Sequence, residues 1–516
     1  MLGWLKKPTA PKETQREDAP AKPSRVPGMG RAVVRMFQAA KQDRLQSEWP
    51  TAPIPVDEIV RRNQRVLVAR SREQAINNDF ARSFLRMSRQ NIVGPRGVQL
   101  QAQPRDDDGT VDNDAADAIE AAFREWSHAR NCDVSGRQSW RALQGQAVAS
   151  AARDGEFMFL KVYGRDAGEW GFALQGLDPQ RCPPDFDENR RRNETFIRSG
   201  IEFNQYGRPL AYYFTSTDEE DSENIYAFGG KRFLRIPADR IIHGFIHEMT
   251  GQKRGLPWMS SALWRMRQLK GFEDAALVNA RVAAAKGGFF EWQEGYGPDA
   301  EEDEEIFMEA EPGAFQELPA GVRFKEWNPQ YPSGEYAVYT KAMLRGIASG
   351  LGVAYNNLAN DLEGVNFSSI RQGALDEREA WKELQEWLIE TLIEPVFLEW
   401  LPRALMRGIT LPNGGQLRPN RIGKYREVVW QPRRWAWIDP KSEVAAAVAS
   451  KNNLLSSPGQ IIRDTGRDPD TVWREMAADI SAMRAAGIPD EFIMQAMGQK
   501  ETGGGRNDRP PDSESE

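Results

Sequence analysis

The sequence predicts a mixed α+β fold built from several sub-structures. A chain of 516 residues is long enough for roughly two to four such sub-structures. Between about 92 and 245, short segments with alternating apolar residues and turn signals are typical of strands. Beyond residue 256, long runs with apolar residues every three or four positions are typical of helices. These patterns indicate an α+β lobe followed by a mainly helical half.

Composition and charge limit the function classes. The formal net charge is -7, from 68 Lys and Arg against 75 Asp and Glu. Proteins that grip nucleic acid tightly usually carry a basic excess, so the balance fits only brief or sliding contact with DNA. Cys132 and Cys182 have no metal-ligand spacing and no disulfide framework, which predicts a reducing compartment. The 16 tryptophans fit either a large protein interface or core packing.

The two ends of the chain have the composition of disordered segments. Residues 1–30 are basic and proline-rich without an apolar stretch, so they predict a disordered arm rather than a targeting signal. Residues 499–516, QKETGGGRNDRPPDSESE, have the composition of a disordered tail. No run approaches the roughly 20 apolar residues of a membrane span, so no membrane association is predicted.

The first half opens with helices and continues with strands. From Val56 to about Asn91 an apolar stripe alternates with arginines, which predicts an amphipathic helix pair whose arginines either extend from the surface or contact nucleic acid. GEFMFLKVYG and FALQGLDP read as strands, and SGIEFNQYGRPLAYYFTS reads as a hairpin turning near Tyr206 and Gly207. AADAIEAAFREWSHA predicts a helix beside them.

The second half is dominated by long helices. One is predicted from about 257 to 286, with Pro257 at its start and Gly287 as its stop. An acidic insert with room for two strands and a short helix follows, and EYAVYTKAMLRGIASGLG then returns as a helix. A long amphipathic helix from about 367 to 402 contains Pro395, which predicts a kink. A strand near YREVVWQP and helices at about 440–450, 458–464 and 469–486 complete the chain, with Asp468 or Asp470 capping the last.

Between the return helix and the kinked helix lies LGVAYNNLANDLEGVNFSSIRQG, residues 351–373. About fifteen of these residues are polar, rich in asparagine and without a clear period, and irregular segments of that length usually carry function or are disordered. The segment contains no nucleophile with an adjacent base, so we expect a binding role rather than a catalytic one.

Motifs of known chemistry are few. His243 and His247 are four residues apart, but the β-branched residues around them predict a strand, on which such positions lie about 13 Å apart. Glu248 does not complete an H-E-x-x-H motif because Gly244 occupies the required place. FGGKRF lacks the spacing of a nucleotide-binding loop. The acidic run at 299–311 is more typical of a solvated or docking surface than of a metal site. No catalytic residue, cofactor or metal is predicted.

Six strings in a fixed order resemble the lambda-like portal proteins of tailed bacteriophages. They are RSREQAINNDFARSFLRMSRQNIVGPRGVQLQ, DGEFMFLKV, LQGLDPQRC, GIEFNQYGRPLAYYF, RIPADRIIHGF and GQKRGLPWMSSALWRMRQLKGFEDAALVNA. The resemblance extends over residues 30–490 and implies a non-enzymatic virion protein that forms a ring, usually of about twelve subunits. Such a ring stands at one capsid vertex, and DNA is packaged and later ejected through its channel.

The resemblance implies a division of the chain into the parts of a portal subunit. These are a wing (31–255), a first stem helix (256–287), a clip (288–334), a second stem helix (335–352), a tunnel loop (353–366), a kinked wing helix with a strand (367–439) and crown helices (440–498). The polar stretch is then irregular because it faces a water-filled channel that DNA occupies.

The same resemblance implies residue roles. The tunnel loop is expected to contact DNA through Asn356, Asn357, Asn360, Asp361, Glu363 and Asn366. Lys341 and Arg345, four apart on the second stem helix, either line the tunnel or form salt bridges between subunits. The clip is expected to dock partners through Glu301, Glu302, Asp303, Glu304 and Glu305.

The implied partners are further copies of the chain, double-stranded DNA without sequence preference, the terminase large subunit, a head-completion or connector protein, and the major capsid and scaffolding proteins. The implied location is the capsid portal vertex, with the host cytoplasm during assembly. Two rival interpretations stay open: another head-tail connector ring of different symmetry, and a metal-dependent hydrolase that uses His243, His247 and Glu248.

Overall fold

The computed structural model describes Arg44 and residues 50–189, 195–215, 233–284, 288–293, 321–326, 336–363, 367–435 and 440–496. Residues up to Ile54 and residues from Pro55 onward form two separate units. All helices and strands named here belong to the second unit.

Helices make up most of the regular structure in the described residues. In chain order they are α1 (Val56–Asn77), α2 (Asp79–Ile92), α3 (Asn113–Trp126), α4 (Ala129–Cys132), α5 (Trp140–Asp154), α6 (Leu263–Ala284), α7 (Tyr336–Leu351), α8 (Tyr355–Ala359), α9 (Phe367–Leu388), α10 (Glu394–Arg407), α11 (Ile422–Tyr425), α12 (Pro440–Asn452), α13 (Pro458–Asp464), α14 (Pro469–Ala485) and α15 (Asp490–Ala496). A π-helical segment, Ile389–Ile393, joins α9 to α10.

The strands form small antiparallel sheets. They are β1 (Gln99–Ala102), β2 (Glu156–Tyr163), β3 (Phe172–Leu177), β4 (Phe196–Arg198), β5 (Ile201–Phe203), β6 (Pro209–Thr215), β7 (Phe233–Pro237), β8 (Ile241–Phe245), β9 (Gly288–Trp292), β10 (Val322–Glu326) and β11 (Val428–Gln431). Their orders are β3-β2-β8, β4-β5-β6-β7, β1-β11 and β9-β10. The β1-β11 pair, with Gln101 opposite Val429, ties the start of the lobe to the far end of the chain.

Aromatic residues fill the main core, where α10 packs against α3 and β3. The rings of Phe123 and Trp400 meet edge to face at 5.0 Å, and those of Trp126 and Phe172 stack at 5.8 Å. Such aromatic pairs contribute about 0.5–1.5 kcal/mol beyond their buried area. Five tryptophans are buried in this way, namely Trp126, Trp140, Trp170, Trp381 and Trp400. For these the core interpretation is confirmed, whereas Trp264 and Trp473 are exposed.

A buried ion pair holds the segment that leads into α6. Arg254 donates to Glu156 on β2 at 2.6 Å, and both side chains are fully buried. The guanidinium also donates to three backbone carbonyls, so all of its charge is compensated, as a buried arginine requires. Burial opposes ionisation of Glu156, but the charge of Arg254 and a hydrogen bond from His243 lower its pKa to about 2.

Two glycines allow the same segment to pass α5 closely. Gly155 ends α5 in the left-handed region, with φ +91°. A Cβ on Gly155 would lie 2.4 Å from the Leu256 carbonyl carbon, and one on Gly255 would lie 2.0 Å from the Gly155 oxygen. No side chain fits at either position, which explains the two glycines in DGEF and RGLP.

α7 packs against the first half of α6 and the turn that precedes it, with the Phe272 and Tyr339 rings 4.7 Å apart. Ser261 donates to the Gly350 carbonyl at 2.8 Å, and a Cβ on Gly350 would lie 3.3 Å from that of Ala262. Small residues therefore let the two backbones approach. β9 and β10 form an antiparallel pair between these helices in the chain, as the sequence predicted for the insert.

Two helix predictions differ from the structure in detail. α6 begins at Leu263 rather than near Pro257, because residues 257–262 form turns in which Ser260 and Ala262 bond back to the third preceding carbonyl. The kinked helix contains the π segment just before Pro395. A proline leaves the carbonyl four residues earlier without its helical donor, and the wider π turn accommodates that loss.

Candidate functional site

The polar segment after α7 is more ordered than the sequence predicted. α7 ends at Leu351; Gly352 follows with φ +67°, and the Val353 amide bonds back to the Ala348 carbonyl. The one-turn helix α8 follows and buries Leu358 in the core. Asn360 then adopts the left-handed conformation, with φ 52°, and ends the turn. The expectation of an irregular stretch is therefore wrong for Tyr355–Ala359, because Leu358 packs into the core and holds this helical turn in place.

One anchor joins this segment to α7. The Tyr355 hydroxyl donates to Asp361 Oδ2 at 2.6 Å, and Lys341 Nζ lies 2.9 Å from the same oxygen. Lys341 Nζ and Arg345 Cζ lie 5.7 and 5.6 Å from the Tyr355 ring centroid, within cation–π range. Lys341 and Arg345 of α7 therefore both face Tyr355 of their own chain.

Electrostatics reinforce this anchor. The hydrogen bond from Tyr355, and then that from Lys341, lower the pKa of Asp361 well below its ordinary value. Burial and the same bond to Asp361 raise the pKa of Tyr355 to about 12. At neutral pH the phenol is therefore a fixed donor and the carboxylate a fixed acceptor.

A second anchor joins the segment to α9. The Asn357 side-chain amide donates to Glu377, which also accepts from the Trp381 indole N–H at 3.2 Å. Glu377 is buried, so loss of the Asn357 donor would leave one of its carboxylate oxygens without a partner.

Three of the predicted loop residues take no part in these anchors. The side chains of Asn356, Asn360 and Glu363 form no hydrogen bond or ion pair within the described part of the chain. Asn356 and Asn360 border a cleft that Met87 and Asn91 of α2 also line. These three side chains are available to a ligand, whereas Asn357 and Asp361 already have partners.

The predicted sites are thus brought together only in part. The structure joins Lys341 and Arg345 to the loop through Asp361 and Tyr355. Asn366 and the acidic run Glu301, Glu302, Asp303, Glu304 and Glu305 lie outside the described residues. Sequence reasoning missed Tyr355 and Glu377. Tyr355 is an aromatic residue within the polar stretch, and that signal, beside two cations spaced four apart, could have pointed to it.

The histidine pair does not form a metal centre. His243 lies on β8 and is buried; its Nε2 lies 2.9 Å from Glu156, and its Nδ1 lies 3.3 Å from the Tyr212 hydroxyl. Burial lowers the pKa of His243, against the attraction of Glu156, so the neutral ring donates to Glu156 and accepts from Tyr212. Both ring nitrogens of His243 therefore have hydrogen-bond partners. β8 ends at Phe245, so the predicted strand does not extend to His247, and the described residues contain no group of three or more metal-ligating side chains.

Within the described ranges, no helix has the length and apolar character needed to cross a bilayer.

Comparison with known proteins agrees with the resemblance. The family model described as "Phage portal protein, lambda family" matches residues 42–385. The "Probable portal protein" of Halomonas phage phiHAP-1 is 32% identical over 495 residues, which are 94% of this chain and 93% of that protein. The chain belongs to the lambda family of phage portal proteins. "Portal protein B" of Escherichia phage lambda is 23% identical, over 81% of this chain and 84% of that one.

Among solved structures, this portal chain is similar to one in "Neck of native GTA particle computed with C12 symmetry". The TM-score is 0.40 with 14% sequence identity, over 78% of this chain and 94% of that one. A chain in "Neck of empty GTA particle computed with C6 symmetry" has the same TM-score of 0.40 with 15% identity, over 82% and 98% of the two chains.

Proposed function

We propose that copies of this chain close head to tail into a ring of about twelve subunits at one vertex of a phage capsid. DNA enters the head through the channel of this ring during packaging and leaves through it at ejection. Family membership over most of the chain is the observation that carries this proposal. The protein is structural, and the work of translocation comes from a partner.

The described elements fit the parts of such a subunit. The mixed lobe up to β8 is the wing, α6 and α7 are the paired stem helices, and α12 to α15 form the crown. The two-stranded insert with β9 and β10 is the clip. We assign residues 353–366 to the tunnel loop, held by the stem helix α7 on one side and the wing helix α9 on the other.

The loop contacts DNA transiently through the side chains that the anchors leave available. Asn356 and Asn360 offer neutral amides to phosphate, and each such contact contributes about 1 kcal/mol or less. Glu363 adds a negative charge that repels the backbone. A ring of weak donors and repelling carboxylates slows a duplex without trapping it, whereas each added Lys or Arg contact would strengthen binding through counterion release.

The remaining partners follow from the same assignment. The clip docks the terminase large subunit during packaging and a head-completion or connector protein afterwards, through its acidic run. The wing lies against the major capsid and scaffolding proteins. The protein resides in the virion, and in the host cytoplasm while heads assemble.

An in vitro packaging reaction tests the loop assignment. The variant set Asn356→Ala, Asn360→Gly and Glu363→Ala removes the available side chains, and glycine keeps the left-handed backbone of Asn360. We expect rings that assemble and start packaging, but nearly full heads that lose DNA. The control is Gln99→Ala, an exposed polar position away from the loop. If the loop variant retains full-length DNA as the unmodified ring does, the loop is not a DNA brake.

A further inference from the structure

The wing helix carries an acidic face along its exposed side. Its members share spacings of three and four residues along α9, the π segment and α10: Asp376, Glu379, Glu383, Glu386, Glu390 and Glu394. All six side chains are exposed. Residues so spaced lie on one side of a helix, so they form one continuous acidic face.

This face points away from the rest of its own subunit. The buried positions of the same helix are Glu377, Trp381, Gln385 and Leu388, which lie on the opposite side at about 100° per residue. Within the described residues, Glu383, Glu386, Glu390 and Glu394 form no ion pair or side-chain hydrogen bond. Four carboxylates in a row therefore lack a counter-charge within the described chain.

An arginine groove lies between α2 and α5. Its lining includes the exposed Arg86, Arg89 and Arg141 and the partly buried small residues Ala142, Gly145 and Ala149. Arg82 extends the same face of α2 by one turn. Within the described ranges these four arginines have no acidic partner or side-chain hydrogen bond, and all four are exposed.

The two surfaces complement each other in charge. Small residues in the groove leave room for a helix, and the guanidinium groups offer donors to carboxylates on that helix. Within the described chain no ion pair joins the two surfaces, although each lacks counter-charges. Two different, complementary surfaces on one chain are what a head-to-tail ring contact requires.

We propose that the acidic face of one copy seats in the arginine groove of the next copy and forms a principal contact between neighbouring subunits. This inference rests on the proposed ring and names the surfaces that close it. The occupant of the groove is a second copy of this chain, because the opposite charge at matching helical spacing is supplied by the chain itself. Each subunit offers one surface to each neighbour, so the charges are compensated around the ring.

Charge-swap variants of the full chain test this pairing. The first variant reverses the acidic face with Glu383→Lys, Glu386→Lys and Glu390→Lys, and the second reverses the groove with Arg82→Glu, Arg86→Glu and Arg89→Glu. All six positions are exposed, so folding is expected to be retained and is checked by circular dichroism. A control variant, Asp107→Lys, Glu125→Lys and Asp166→Lys, makes the same change in net charge as the first variant, at exposed wing acids that have no ion pair among the described residues.

Native mass spectrometry at matched protein concentration measures the ring fraction. For each reversed variant alone, the ring fraction is expected to fall roughly tenfold or more, because like charges then face each other. The control variant is expected to assemble normally. A one-to-one mixture of the two variants should restore rings in which they alternate, since each altered surface then meets its complement. The chain carrying both reversals should also assemble alone.

The outcomes separate this inference from the ring itself. If both single reversals assemble as the unmodified chain does, the ring stands and this contact is wrong. If only the groove reversal matters, and it lowers the affinity for a short DNA duplex or an acidic peptide instead, the groove serves another ligand and the pairing is overturned. If the unmodified chain forms no rings, the proposed function fails first.

Discussion

Lys341 on α7 and Asp361 in the segment after α8 form an ion pair at 2.9 Å within one chain. Tyr355 donates to the same carboxylate, and its ring lies within cation–π range of Lys341 and Arg345. The sequence left two roles open for Lys341 and Arg345, tunnel lining or salt bridges between subunits. In this structure Lys341 binds the loop of its own chain, so the position of α7 is coupled directly to that of the loop.

Tyr355→Phe is expected to loosen the loop without unfolding the protein. The change removes the hydrogen bond from the phenol to the charged Asp361 carboxylate, which water can replace only in part because the carboxylate is partly buried. Hydrogen exchange of the amides in residues 353–363 should become faster, while exchange in α5 stays unchanged. Unaltered exchange in the loop would mean that Leu358 and the Asn357 anchor hold it without Tyr355.

Asn357→Ala is expected to lower stability, unlike Asn356→Ala. Asn357 satisfies the buried carboxylate of Glu377, and an unpaired buried acceptor costs about 1–3 kcal/mol. Asn356 has no such partner within the described residues, so its replacement should change the free energy of unfolding by less than about 0.5 kcal/mol. Urea unfolding of both variants measures the difference, and equal midpoints would refute the anchoring role of Asn357.

Arg254→Met is expected to destabilise the wing by about 3–5 kcal/mol, because it leaves the Glu156 carboxylate buried without its cation. Adding Glu156→Gln to this variant should recover part of the loss, since no uncompensated charge then remains. A double-mutant cycle on the free energy of unfolding measures the coupling. Additive effects of the two changes would contradict the ion pair.

Acid is expected to weaken the same region in two steps. The pKa of His243 is lowered in the fold, so stability falls once pH drops below about 6.5, where the unfolded chain takes up a proton. The pKa of Glu156 is about 2 in the fold against 4.5 ordinarily, so its contribution is present above pH 4.5 and is lost as pH falls toward 2. Urea midpoints of the unmodified chain and of His243→Gln measure the first step, which the variant should lack. The exposed His128→Gln is the control.

Gly255→Ala is expected to be far more damaging than Gly346→Ala. A Cβ on Gly255 would meet the Gly155 backbone oxygen at 2.0 Å, and backbone cannot move aside, so we expect a loss of about 3 kcal/mol or more. A Cβ on Gly346 would meet only the flexible end of Arg265, also at 2.0 Å. That substitution also adds helix propensity, about 0.5–1 kcal/mol. Thermal unfolding of the two variants compares them, and similar losses would argue against the close passage at Gly255.

Local patterns were enough to predict many elements. The paired helices α1 and α2, the strand β2, the β5–β6 hairpin and the cap of α14 by Asp468 all follow from periodicity or turn residues a few positions apart. Each depends on interactions within its own segment, which sequence spacing reports directly.

The contacts that build the site depend on long-range packing instead. Asp361 meets Lys341 only because the one-turn helix α8 folds back against α7, and Asn357 meets Glu377 only because α9 passes beside it. The pairing of Arg254 with Glu156 joins residues about a hundred positions apart. No spacing rule reports such contacts, so the sequence predicted the polar loop but not which of its residues are anchored.

Electron cryomicroscopy of the purified protein tests the proposed ring and the place of the loop within it. We expect closed rings of about twelve copies with an axial channel, into which Asn356, Asn360 and Glu363 project from the loop held by Lys341 and Glu377. Particles that remain monomers or dimers at every concentration, or closed rings whose 353–363 segment faces the outer surface, would contradict it.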